Sequence, residues 1–129
     1  MNKICTSLEQ SKKLMELGID INTADIIYTT FYDKISKNLP MPKEVYDILK
    51  YPIDGDKCTP AWSLSALIEL MPDKISINNE SYYLSFKKNG VEFRGPITWE
   101  GQKSISLEMD NILDAVFEMI VKLKELKLL

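Results

Sequence analysis

SYYLSFKKNGVEFRGPITW, residues 81 to 99, decides the fold. From Ser81 to Lys88 apolar and polar residues alternate, and they alternate again from Val91 to Trp99. That period of two is the signature of a strand with one face buried. Between the runs stands Asn89-Gly90, the dipeptide that suits the two positive-φ positions of a type I′ hairpin turn. A two-residue loop at Asn89-Gly90 predicts Phe86 opposite Phe93 and Ser85 opposite Arg94. One face then collects Tyr82, Leu84, Phe86, Val91, Phe93 and Ile97. The other collects Tyr83, Ser85, Lys87, Glu92, Arg94 and Thr98. Gly95-Pro96 marks a bulge or edge position.

Working outward, Lys74-Ile-Ser-Ile77 alternates and ends at the turn pair Asn78-Asn79, and Ser104 to Glu108 reads as one further short strand. Beyond it Asp110 is the expected N-cap of a long C-terminal helix starting near Asn111. Ile112, Leu113, Val116, Phe117, Ile120 and Leu123 form its apolar stripe, which is expected to lie on Leu84, Phe86 and Phe93 of the sheet. Upstream, Thr59-Pro60 predicts the N-cap and first position of a middle helix that Pro72 ends. Leu64, Leu67, Ile68 and Met71 are its expected buried stripe. A first helix spans about Leu8 to Leu17, with Thr6 and Glu9 as a capping box. Gly18 is its left-handed end, and Ile19 is placed to fold back on Leu14. The run ADIIYTTFY, residues 24 to 32, is β-branched and aromatic and predicts a strand. Residues 33 to 60 hold four of the six prolines and are read as irregular, with Pro42 able to open a short helix.

These elements define an α+β class. A small, mainly antiparallel sheet with a central Asn-Gly hairpin packs against N-terminal, middle and long C-terminal helices. A length of 129 residues fits a single domain over residues 1–129.

Composition narrows the chemistry. There is no histidine, which removes Ser-His-Asp and Cys-His catalysis and His-ligated zinc. The five glycines are scattered at 18, 55, 90, 95 and 101, so no phosphate-cradling loop exists. Ser63 and Ser65 sit on no nucleophile elbow. Asp110, Asp114 and Glu118 are spaced four apart and could share a metal; the simpler reading is acids favoured by a helix N-terminus. No cofactor is implied. The net charge of −3 and the lone arginine, Arg94, argue against a nucleic-acid reader. Cys5 and Cys58 form no CxxC pair. With no apolar run of membrane length, the expectation is a cytoplasmic protein with reduced thiols and no membrane partner.

The default for Trp62 and Trp99 is completion of a core. Trp99 is the better surface candidate, since it follows a turn-prone strand end. Exposed aromatics beside an arginine suit a binding patch, which makes Trp99, Tyr83 and Arg94 the candidate binding residues. Leu128 and Leu129 join them as apolar residues beyond the helix stripe, where a protein partner or a second copy could dock.

TSLEQSKKLMELGIDINTAD (6 to 25), PAWSLSALIELMP (60 to 72) and DNILDAVFEMIVKLKELKLL (110 to 129) together resemble a family of small uncharacterised proteins of Bacteroides-type gut bacteria, often found near phage-like or mobile-element genes. The family has no assigned activity, so the resemblance carries no site residue. It implies a bacterial accessory protein of prophage or mobile-element origin. The expected function is therefore non-enzymatic binding of another protein. A nucleic-acid-associated protein is the alternative, and a small carboxylate- and metal-dependent enzyme comes third.

Overall fold

The computed structural model describes residues 4–29, 39–42 and 58–129. They belong to two compact units, one formed by Leu67–Leu129 and one by the chain before it.

The C-terminal unit is built on a four-stranded antiparallel sheet in simple sequential order, β4-β5-β6-β7. Its strands are β4 (Lys74–Ile77), β5 (Glu80–Lys87), β6 (Gly90–Thr98) and β7 (Gly101–Glu108). The type I′ signature lies at Asn78-Asn79, with φ of 51° and 67°. Those two residues connect Ile77 to its partner Glu80, and asparagine is among the few side chains that tolerate this region.

The expected Asn89-Gly90 turn is corrected. Lys87 pairs with Gly90, so the loop is Lys88-Asn89, and neither has a positive φ. Phe86 faces Val91 and Leu84 faces Phe93. The register has moved by two residues, an even number, so the side chains from Tyr82 to Arg94 keep their expected faces. Gly90 is needed for a different reason. A Cβ there would come within 2.8 Å of the Leu107 carbonyl on β7.

The bulge expected at Gly95-Pro96 is present as a break in β6–β7 pairing between Arg94 and Ile97. It overturns the placing of Ile97 on the core face, because past the bulge Ile97 is 80% exposed. Gly95 accommodates the buried ring of Tyr82, which occupies the space a Cβ would take.

The C-terminal helix, Ile112–Glu125, is capped by Asn111 rather than Asp110: Asn111 Oδ1 accepts from the Asp114 amide at 2.9 Å. Leu113, Val116, Phe117, Ile120 and Leu123 are buried as the stripe predicts, together with Ala115 and Met119; Ile112 is only half-buried. The helix packs on β6 and β7. Phe93 is fully buried on that face, whereas Phe86, on β5, stays 44% exposed.

The N-terminal unit has a three-stranded antiparallel sheet, β2-β1-β3. Central β1 (Ile26–Thr29) is flanked by β2 (Leu39–Pro42) and β3 (Cys58–Ala61). Three prolines of the segment read as irregular therefore sit on the two outer strands. Proline is tolerated there because an outer strand has a side without ladder bonds. Thr59-Pro60 accordingly lies in β3 and does not start a helix. The middle helix is shorter, Leu64–Leu70, and Ser63 Oγ accepts from the Ala66 amide at 3.2 Å in the manner of an N-cap. Leu67 and Met71 are buried; Leu64 and Ile68 are only partly so. The short helix that Pro42 could open lies outside the described residues.

Helix α1 (Leu8–Glu16) has its capping box at Ser7 and Gln10, one residue later than expected. Its end is a full Schellman motif, with Gly18 at φ +84° and the Ile19 amide donating to the Leu14 carbonyl at 3.1 Å. Thr6, released from capping, holds the unit together. Its amide donates to the Trp62 carbonyl at 2.9 Å, and its Oγ1 accepts from the Trp62 amide at 3.1 Å.

Candidate functional site

The outer face of the four-stranded sheet carries the chemistry of the C-terminal unit. The alternation of β5, β6 and β7 puts Tyr83, Ser85 and Lys87 beside Arg94, Glu92, Ser104 and Glu108. Glu92 is buried although charged. Arg94 Nε stands 3.2 Å from one of its oxygens and Lys87 Nζ 3.5 Å from the other. Paired cations are what a buried carboxylate requires. Lys87 also reaches Glu108 at 3.6 Å, and Lys103 meets Glu80 at 3.0 Å. Arg94 Nη2 donates to Gln102 Oε1 at 3.2 Å. The arginine is thus engaged within its own sheet.

The structure brings Tyr83 and Arg94 together as directly paired residues of β5 and β6. Tyr83 is exposed, with the Lys74 ammonium 6.0 Å from its ring centre. Trp99 stands apart at the end of the β6–β7 hairpin. Trp99-Glu100 forms the turn, Gly101 follows at φ +116°, and Thr98 Oγ1 donates to the Gly101 carbonyl at 2.9 Å. Trp99 is fully exposed and Ile97, two residues earlier, nearly so. Sequence reading found Trp99 and missed Ile97, because one bulge reverses the face of everything beyond it. Leu128 and Leu129 belong to another element and are half-buried. The Leu128 amide donates back to Leu123 at 2.8 Å, with Lys127 at φ +59° forming a second Schellman end. Val121, expected outside the stripe, is largely buried, and Leu126 is the exposed leucine there, at 50%.

Of the acids weighed as metal ligands, Asp114 is engaged with the helix cap. Asp114 accepts from Asn111 Nδ2 at 2.8 Å, and among the described residues no three Cys, Asp or Glu side chains gather closely enough to hold a metal ion. Trp62 is fully buried, and its Nε1 donates to Thr23 Oγ1 at 2.9 Å. Cys5 is buried and its sulfur donates to Tyr28 Oη at 3.3 Å, while Tyr28 donates to the Thr6 carbonyl at 2.8 Å. Burial, then the hydrogen bond with Cys5, then the negative charge Cys5 carries when ionised push the Tyr28 phenol well above its ordinary range. Among the described residues no helix is long and apolar enough to cross a membrane.

No family model, no curated protein and no solved structure matches this chain.

Proposed function

We propose that this chain is a bacterial accessory protein of prophage or mobile-element origin that acts by binding another protein, with no catalytic step of its own. The observation that supports the binding role is the exposure of both Ile97 and Trp99, two residues apart at one hairpin end. Two large apolar side chains stand almost wholly in water there, while Trp62, Phe93 and Val91 are fully buried. Tryptophan is prominent among the residues that dominate binding energy at protein interfaces, and a neighbouring aliphatic side chain helps exclude water around it. Tyr83 extends the same reading along the outer face, next to Arg94. On this face Arg94 and Lys87 have carboxylate partners and Lys74 stands over the Tyr83 ring, so it offers few unengaged cations to a phosphate backbone.

The experiment is capture of partners from nuclease-treated host lysate by the intact protein and by an Ile97→Ser/Trp99→Ser variant. The expected result is a protein retained by the first and lost by the second, with both equally folded by circular dichroism. Retention of the same protein by both would remove the hairpin end from the interface. Capture that disappears only with nuclease would favour the nucleic-acid reading.

A further inference from the structure

We infer that the free edge of β7 and the groove beside it accept an extended segment of a basic protein as a fifth strand. This goes beyond the hairpin-end reading and does not depend on it.

The direction of the backbone groups comes first. The Met109 amide donates to the Asn89 carbonyl at 3.0 Å, in register with the pairing of Gly90 with Glu108. In an antiparallel ladder, hydrogen-bonded pairs alternate with pairs that point their amides and carbonyls outward. Ile105 and Leu107 therefore bond to β6, whereas Ser104, Ser106 and Glu108 direct N–H and C=O away from it. Among the described residues β7 is the last strand of its sheet, so there these groups face an open edge. It is eight residues long and contains no proline. A strand of that kind is a template for another strand.

The second observation is the groove. Between β7 and the C-terminal helix lies an open depression of about 520 Å³ lined by Leu107, Met109, Glu118, Val121, Lys122 and Glu125. Leu107, Met109 and Val121 make it apolar. A strand added to β7 would turn alternate side chains toward it, as strand-addition sites do when the ladder supplies affinity and a groove supplies specificity.

Charge identifies the occupant. Glu118 and Glu125 rim the groove on the helix, with Lys122 between them, and none of the three makes an ion pair among the described residues. Exposed Asp110 adds a further acid just past the end of β7. A second copy pairing β7 with β7 would set two such acidic rims side by side. A lysine or arginine instead lays its methylene stem on Met109 and Val121 and its charge against Glu118 or Glu125. The segment is thus extended, with apolar and long basic residues alternating with small polar ones.

The probe is acetyl-Thr-Lys-Thr-Ile-Thr-Lys-Thr-amide, titrated into the labelled full chain by NMR. Saturable shifts are expected at Ser104, Ser106, Glu108, Leu107 and Val121, with slowed exchange of the Ser104, Ser106 and Glu108 amides. Two control peptides should bind at least about tenfold more weakly. One carries Glu for both Lys. The other carries Pro for the two Thr beside Ile, which keeps the charge and removes donors facing β7. On the protein side, Ser106→Pro removes an outward amide without touching the β6 ladder, and Glu118→Lys with Glu125→Lys reverses the rim. Both variants should stay folded and lose the binding. Absence of saturable shifts, equal binding of the proline peptide, or binding undiminished in both variants would overturn the strand addition. So would a dimer by light scattering that Ser106→Pro turns into a monomer, since the edge would then belong to a second copy.

Discussion

Gly95 and Tyr82 show how single residues set the sheet. The Tyr82 ring lies where a side chain at 95 would be, and it is itself buried, so it has little room to move. Gly95→Ala should cost about 1–3 kcal/mol by overpacking. In a Tyr82→Leu background that cost should shrink, and a double-mutant cycle read by urea denaturation measures the difference. Equal costs in both backgrounds would mean that the contact does not constrain position 95. Tyr28 makes a second prediction. Its folded pKa is raised above the unfolded value, so the folded state holds the phenolic proton more tightly. That contribution to stability is complete below about pH 10 and is lost as pH rises beyond it. The ultraviolet titration of the native protein should contain a step well above the ordinary tyrosine range, and Tyr28→Phe should abolish that step. A native titration with every tyrosine near the ordinary value would contradict the burial and hydrogen bonding described for Tyr28.

Among the elements, the C-terminal helix carries the clearest energetic contrast. Leu123 is wholly buried and Leu126, one residue past the helix, is half exposed. Leu123→Ala should cost about 2–5 kcal/mol, as other buried leucine truncations do. Leu126→Ala should stay within about 0.5 kcal/mol, the usual range for surface positions. Comparable losses at both would show that Leu126 is covered in solution. The helix ends itself with Lys127 in the left-handed region, where glycine is the usual residue. Lys127→Gly should therefore be neutral or slightly stabilising in thermal unfolding.

At the scale of the whole molecule, the two tryptophans report on opposite environments. Trp99→Phe should leave a blue-shifted emission from Trp62 that iodide barely quenches. Trp62 cannot be removed so harmlessly, because its indole is fully buried and donates to Thr23 Oγ1. The difference spectrum between the intact chain and Trp99→Phe should thus be the red, readily quenched emission of Trp99. A blue or protected Trp99 signal in the isolated protein would mean that the hairpin end is already covered. The same signal turning blue when a captured partner is added would place that partner on Ile97 and Trp99.

Much of this architecture is legible from local chemistry. Period-two alternation located β4 to β6, period 3.6 located the long helix and its buried stripe, and Gly18 with Ile19 marked a helix end, because each depends on residues a few positions apart. The faces of β5 and β6 survived a wrong turn, since a shift of two residues preserves parity. What sequence alone left undecided depends on neighbours distant in the chain. Gly90 is glycine because β7 crosses close to it, not because a turn needs it. Thr59-Pro60 carries helix-start chemistry, yet β1 recruits it as an outer strand, where a proline is tolerated. Of the candidate site, Trp99 and Tyr83 were readable as exposed aromatics. Ile97 was not, because a bulge fixed by β7 pairing reverses its face. The open edge of β7 was hidden too. An edge exists only once strand order is set, and strand order is a property of tertiary pairing that no local pattern encodes.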